Sequence, residues 1–184
     1  MAGMWKGDSH MEQMVKKPEF CFEVHTAEQH AIFRNLLTRY DRSCCFRGRY
    51  EENPDSMRAF YMTDADGTPF AAAALYEHDP WERTIYLSCI NRAQDINALI
   101  PAIQWITGVA ILEMGVDKVC TLVAEDSQEC TSLFLSSGYS YDGFLRDHLL
   151  LADGRRSDAF LISILKHEYE RQHLLHCNIT NNPQ

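Results

Sequence analysis

Apolar and polar residues alternate through 19–25 (EFCFEVH), the period of two that a half-buried strand requires. The period then lengthens. Thr26 followed by Gln29 is a capping-box signature. The next stretch, AEQHAIFRNLLTRY, places Ala31, Ile32, Leu36 and Tyr40 on one helical face. Residues 41–57 have no period and group Arg42, Arg47 and Arg49. A meander follows, with strands predicted at 58–63 (RAFYMT), 69–76 (PFAAAALY) and 84–90 (TIYLSCI). Asp64-Ala65-Asp66-Gly67 reads as the first hairpin turn, Gly67 supplying positive φ. EHDPWER (77–83) reads as the second turn. Residues 98–114 are apolar almost all round, which predicts a buried helix with Pro101 in its first turn and Gly115 as its stop. KVCTLVA (118–124) is the continuous apolar run of a strand buried on both faces. Asp126 or Ser127 caps a short helix, QECTSLFLSS, which Gly138 ends. Two last strands, near 141–151 and 157–166, meet at an Asp153-Gly154 hairpin.

Strand, helix, three strands, helix, strand, helix, two strands is an order that predicts an α/β (α+β) domain. Its central sheet is mixed, mostly antiparallel and of about seven strands, with helices on its flanks. The expected domain is 19–170. Residues 1–18 lie outside it (Ser9-His10-Met11 reads as a cloning remnant), as does a polar tail, 171–184. No repeat or linker divides the chain.

Composition narrows the chemistry. Seven cysteines, an odd number without CxxC spacing, lie partly inside apolar runs. They read as buried thiols of a reducing, cytoplasmic compartment rather than as a disulfide framework. His25 and His30 have no ligand partner at metal-binding spacing, so no metal is expected. A formal net charge of -9 excludes a general nucleic-acid binder and is compatible with a cationic partner. No apolar run approaches the ~20 residues of a membrane span, and none is expected.

The most specific signal lies in 133–169, LFLSSGYSYDGFLRDHLLLADGRRSDAFLISILKHEY. It sets out a Gly-aromatic pair (Gly138-Tyr139), an acid-Gly pair (Asp142-Gly143) and a basic strand residue (Arg146). A Gly-Arg turn (Gly154-Arg155), Asp158 and Glu168 follow. In this order these elements resemble the closing segment of the GNAT superfamily of N-acetyltransferases, above all its ribosomal-protein N-terminal acetyltransferase branch. The resemblance implies acetyl-CoA as co-substrate and a primary amine of a small molecule or protein N-terminus as acceptor. It also implies a monomer or homodimer. Two parallel strands, here 84–90 and 118–124, would splay apart around the thioester near Ile90. Backbone N–H groups there would face the carbonyl oxygen.

The family's phosphate loop carries Gln or Arg, two residues, Gly, one residue, then Gly or Ala. It falls on Arg92-Ala93-Gln94-Asp95-Ile96-Asn97, which keeps the Arg and replaces both glycines. Asp95 and Asn97 either preserve the loop's backbone shape or cap the helix. The second signature falls on Ser127-Gln128-Glu129-Cys130, both of its ends small and polar. Phe134 stands where many relatives carry a tyrosine acid. Cys130 could instead protonate the leaving thiolate, or be a structural thiol. Glu77 and His148 are the candidate acid–base groups near the sheet. The rival reading is a catalytically inactive GNAT-fold binding protein with weak or no CoA binding.

Overall fold

The computed structural model describes residues 16–40, 56–91, 96–151 and 153–180. In chain order they form β1 (Cys21–Glu23), α1 (Ala27–Tyr40), β2 (Arg58–Thr63), β3 (Pro69–Asp79) and β4 (Thr84–Asn91). A 3₁₀ turn (Ile96–Leu99) leads into α2 (Ile100–Gly108), which continues as a π-helical turn (Val109–Glu113). Then come β5 (Lys118–Ala124), α3 (Gln128–Ser136), β6 (Ser140–Leu150), β7 (Arg156–Leu165) and α4 (Lys166–Thr180). All seven strands join one sheet in the order β1-β2-β3-β4-β5-β7-β6. Every neighbouring pair is antiparallel except β4 and β5. This is the mixed, mostly antiparallel α/β sheet that the alternation predicts.

The period of two splits the core. Phe60, Met62, Ala73, Leu75, Ile85, Leu87, Val119 and Ile162 face α2 on one side of the sheet. Ala59, Tyr61, Ala72 and Ala74 face α1 on the other. The capping box forms as predicted: Thr26 N donates to Gln29 Oε1 at 2.9 Å, and Gln29 N to Thr26 Oγ1 at 3.2 Å. The buried face of α1 differs from the prediction. Ala31 is exposed, and Phe33, Leu36 and Leu37 are buried. A methyl group offers little area, so the helix turns to bury the largest apolar side chain. Tyr40's side chain and residues 41–55 lie outside the described residues.

The hairpin at Asp64–Gly67 is as predicted, with Gly67 at φ 79. The turn after β3 is shorter than expected. Glu77, His78 and Asp79 stay in the strand across a bulge, with Glu77 at φ 51. Asp79 Oδ1 then takes the N–H groups of Trp81 (2.8 Å) and Glu82 (2.9 Å), and this side chain makes the turn. The helix predicted over 98–114 is one apolar rod, Ile96–Glu113, of 18 residues with three helical pitches. By length and composition it meets the measure of a membrane span, which the sequence expectation had missed. Its apolarity is accounted for by packing, since Leu99, Ile103, Ile106 and Val109 are fully buried in the main core.

The closing motif has structural duties. Gly138, at φ 99, stops α3, and its carbonyl accepts Gln172 Nε2 from α4 at 3.1 Å. That helix carries the chain past residue 170. Asp158 Oδ1 accepts Asp147 N at 2.8 Å and, with Arg156 Nη1 on Asp147 O (2.8 Å), fixes the bulge in β6. Glu168 Oε2 accepts Leu165 N at 2.9 Å, one half of a capping box at the start of α4.

Candidate active site

The β4–β5 ladder is short. Thr84 pairs with Lys118, Ile85 with Val119 and Tyr86 with Cys120, and there the pairing ends. Beyond this point β4 stays on β3 as far as Asn91, while β5 stays on β7 as far as Ala124. The sheet therefore forks between Leu87–Asn91 and Thr121–Ala124. Backbone N–H and C=O groups on the two inner edges have no ladder partner across the fork, so an elongated ligand can take their bonds.

On the α2 side, Cys89 and Cys130 both pack against the main core, from β4 and from the first turn of α3. Ser127 occupies the N-cap position of α3 but makes no side-chain cap bond to its backbone. The first N–H groups of this helix are thus left to a ligand or solvent. Thr131 Oγ1 is buried and has no hydrogen-bond partner among the described residues. Burial pushes the Cys130 thiol up from its ordinary value, against a hydrogen bond from Ser127 that lowers it. Burial likewise raises Cys89, helped by the nearby Cys130 and Cys21.

On the other side of the fork, polar groups lie beside the α1 core. One row across the register reads Tyr76, Tyr86, Cys120, Ser163 and Ser140. Below it, Lys118 is paired with Asp142, and Ser163 Oγ donates to the same Asp142 Oδ2 at 2.8 Å. Partial burial works against the Asp142 carboxylate. The bonds from Lys118 and Ser163 outweigh it and hold the group below the usual carboxylate range. Tyr76 Oη and Ser88 Oγ are hydrogen-bonded at 3.0 Å, and the Tyr76 and Tyr86 rings stack at 5.9 Å.

The residues singled out from sequence divide accordingly. Ser127 and Cys130 stand together at the start of α3, with Ile96 packed on the same core as Cys130. Ile90 lies in the fork but on the opposite face, against the α1 cluster. Asn97 is exposed in the 3₁₀ turn. Arg92, Ala93, Gln94 and Asp95 lie outside the described residues. Phe134 is buried, its ring edge-on to Tyr139 at 5.2 Å. Glu77 follows Tyr76 on the closed side of the fork, one strand away from it. His148 is exposed in the edge strand β6, which β7 separates from β5. Glu77, Cys130 and His148 therefore do not form one cluster. Sequence reading passed over Ser88, Cys89, Tyr76 and Thr131. Alternation in TIYLSCI already separates Tyr86, Ser88 and Ile90 from Leu87 and Cys89. The start of the fork was the missing fact.

No family model matches this sequence, and no curated relative emerges from sequence comparison. Solved structures do match. A spermidine N-acetyltransferase variant from Vibrio cholerae superposes with a TM-score of 0.67 at 17% identity, over 83% of this chain and 98% of that one. Mutant forms of the spermidine/spermine N-acetyltransferase of that organism give 0.69 at 15% identity, over 84% and 99%. A dodecameric structure of the Vibrio cholerae spermidine enzyme in an intermediate state gives 0.68 at 16%, over 84% and 99%. At these identities the likeness is one of fold: the chain has the architecture of the GNAT acetyltransferases.

Proposed function

We propose that this chain is an acetyl-CoA-dependent N-acetyltransferase that acetylates a primary amine. The fork at Tyr86 and Cys120 carries the reading. It supplies an elongated slot whose unpaired backbone groups suit the amide-rich chain of CoA. The uncapped start of α3 suits its phosphates, and the orphan Thr131 hydroxyl is a donor awaiting a polar partner. Ile90, Ser127, Cys130 and Thr131 would hold the co-substrate, with Arg92, Ala93, Gln94, Asp95, Ile96 and Asn97 as its phosphate loop. The donor supplies an acyl group activated as a thioester. The chain supplies N–H donors for the carbonyl oxygen and a dry fork. Cys130, held protonated at neutral pH chiefly by burial, can give its proton to the departing sulfur.

A cationic polyamine is the acceptor class we favour. The net charge of -9 attracts it, and the structural neighbours named above are spermidine enzymes. The placement of Phe134 favours one rival: where a tyrosine acid would stand, the ring is spent in the core. This supports a GNAT-fold binding protein without turnover.

Thermal melting with acetyl-CoA, followed by transfer to spermidine, separates the two. A ligand at a hundred times its dissociation constant adds about 2.7 kcal/mol of stability. A rise in melting temperature with acetyl-spermidine formation supports the enzyme. A rise without acetylation of any amine supports the binding protein. A flat melt removes CoA from both. In the loop, Asp95→Gly should tighten CoA binding by removing a carboxylate from beside the pyrophosphate.

A further inference from the structure

The hydroxyls of Tyr76 and Ser88 form a pair at 3.0 Å. It sits on the sheet face opposite α2 and α3, because Ala72 and Ala74 of β3 face α1 and Ala74 is the register partner of Ser88. Tyr86 is the last β4 residue paired with β5, and Ser88 is the next residue on that same face. The pair therefore stands at the crotch of the fork. Across it, the residue at the matching height on β5 is Leu122, which is half-buried.

A carbonyl held in the fork is attacked from one of its two faces. One face is packed with α2, α3 and the core cluster of Leu87, Val119 and Val123. The other face carries α1 over Ala59, Tyr61, Ala72 and Ala74, but Tyr86, Ser88 and Leu122 are only half-buried there, and along this strip the nucleophile arrives. There Ser88 Oγ is the first side-chain polar atom that β4 offers beyond the last ladder pair. One of the two hydroxyls donates to the other at 3.0 Å, and in either direction Ser88 Oγ keeps a lone pair that can accept from an amine N–H. The adjoining ring of Tyr86, stacked on Tyr76 at 5.9 Å, offers an apolar face to methylene groups.

We propose that Ser88 and Tyr76 bind the amine of the acceptor by accepting its N–H, while the stacked Tyr86 and Leu122 flank its alkyl chain. The acceptor is thereby a linear alkylamine. This inference rests on the acetyltransferase reading. It concerns the acceptor side, and the donor side can be measured separately.

The test is steady-state acetylation of linear amines, from butylamine to 1,4-diaminobutane and spermidine. Wild type is compared with Ser88→Ala, Ser88→Thr and Tyr76→Phe, and the CoA melting shift of each is recorded. Losing one such bond should raise the amine KM by about tenfold in Ser88→Ala and Tyr76→Phe. The acetyl-CoA KM and the CoA shift should not move, and Ser88→Thr should stay near wild type. Amine KM values within about twofold of wild type in both variants overturn the proposal and leave the acetyltransferase reading standing. So does a parallel loss of CoA binding, which would mark a structural role, and so does turnover confined to amines that are not linear. A wild type that neither shifts with CoA nor acetylates any amine overturns the reading and this proposal together.

Discussion

Gly108 of α2 lies directly beneath the phenol of Tyr169 from α4: a Cβ at Gly108 would stand 2.4 Å from Tyr169 Oη and 3.3 Å from its Cζ. In an open helix, Gly→Ala gains about 1 kcal/mol. Here the clash should reverse the sign, since overpacking a filled core costs about 1–3 kcal/mol. Gly108→Ala is expected to lower the urea midpoint. Adding Tyr169→Phe, which removes the clashing oxygen, should recover part of the loss, a non-additivity that a double-mutant cycle reads. Additive losses would mean that this contact does not set the spacing of α2 and α4.

The Lys118–Asp142 pair makes stability depend on pH at both extremes. Asp142 is held below its ordinary value in the fold, so its contribution is full above about pH 4 and fades as pH falls through the folded value. Lys118 is raised, first by its hydrogen bond to Asp142, so its contribution is full below about pH 10 and fades as pH rises through the folded value. Asp142→Asn should cost about 1 kcal/mol at pH 7. The gap from wild type should close in acid. A gap that holds constant down to pH 3 would show that Asp142 acts there through packing alone.

These two relationships mark how far the sequence could be read. Strands 58–63 and 118–124, the Thr26–Gln29 box and the Gly67 turn follow from local chemistry and appear as expected. The forked parallel pair followed from the family resemblance and is present. What stayed hidden depends on contacts distant in sequence. Phe33 displaces Ala31 from the core because α1 rotates to fill space between strands. Gly108 reads as a helix weakness until Tyr169, far along the chain, is seen above it. Ser88 reads as one polar residue in an apolar strand until the register brings it to Tyr76 at the fork. Residue order cannot supply such cross-sheet distances.

The thiols beside the fork should be slow nucleophiles. Burial is the largest cause raising both Cys89 and Cys130, and it also pushes Cys21 up to about 12. The thiolate is the reactive form, so each unit of upward shift lowers its share at neutral pH by about tenfold. Iodoacetamide at pH 7.5 should therefore label peptides containing these residues at least about tenfold more slowly than glutathione. Their rates should still be climbing at pH 9. Rapid labelling of Cys130 at neutral pH would remove it as a protonated donor.

A last prediction concerns which partner of a buried bond is the more costly to remove. Thr107 Oγ1 donates its only proton to Ile103 O at 2.7 Å, so at its 2.7 Å contact with Tyr139 Oη it must accept. Tyr139 is the donor, on a ring 4% exposed and packed edge-on against Phe134. Tyr139→Phe keeps the ring and leaves Thr107 still bonded to Ile103, so it should cost only about 0.5–1 kcal/mol. Thr107→Val keeps the shape but strands the phenol O–H in an enclosed site, which should cost about 1–3 kcal/mol. Thr107→Ser, which keeps the acceptor, should stay closer to wild type than Thr107→Val does. Urea unfolding with an unchanged m-value reads all three. The order Thr107→Val worse than Tyr139→Phe follows only if the phenol donates; the opposite order would mean that the proton runs the other way and that Ile103 O is satisfied by its helix alone.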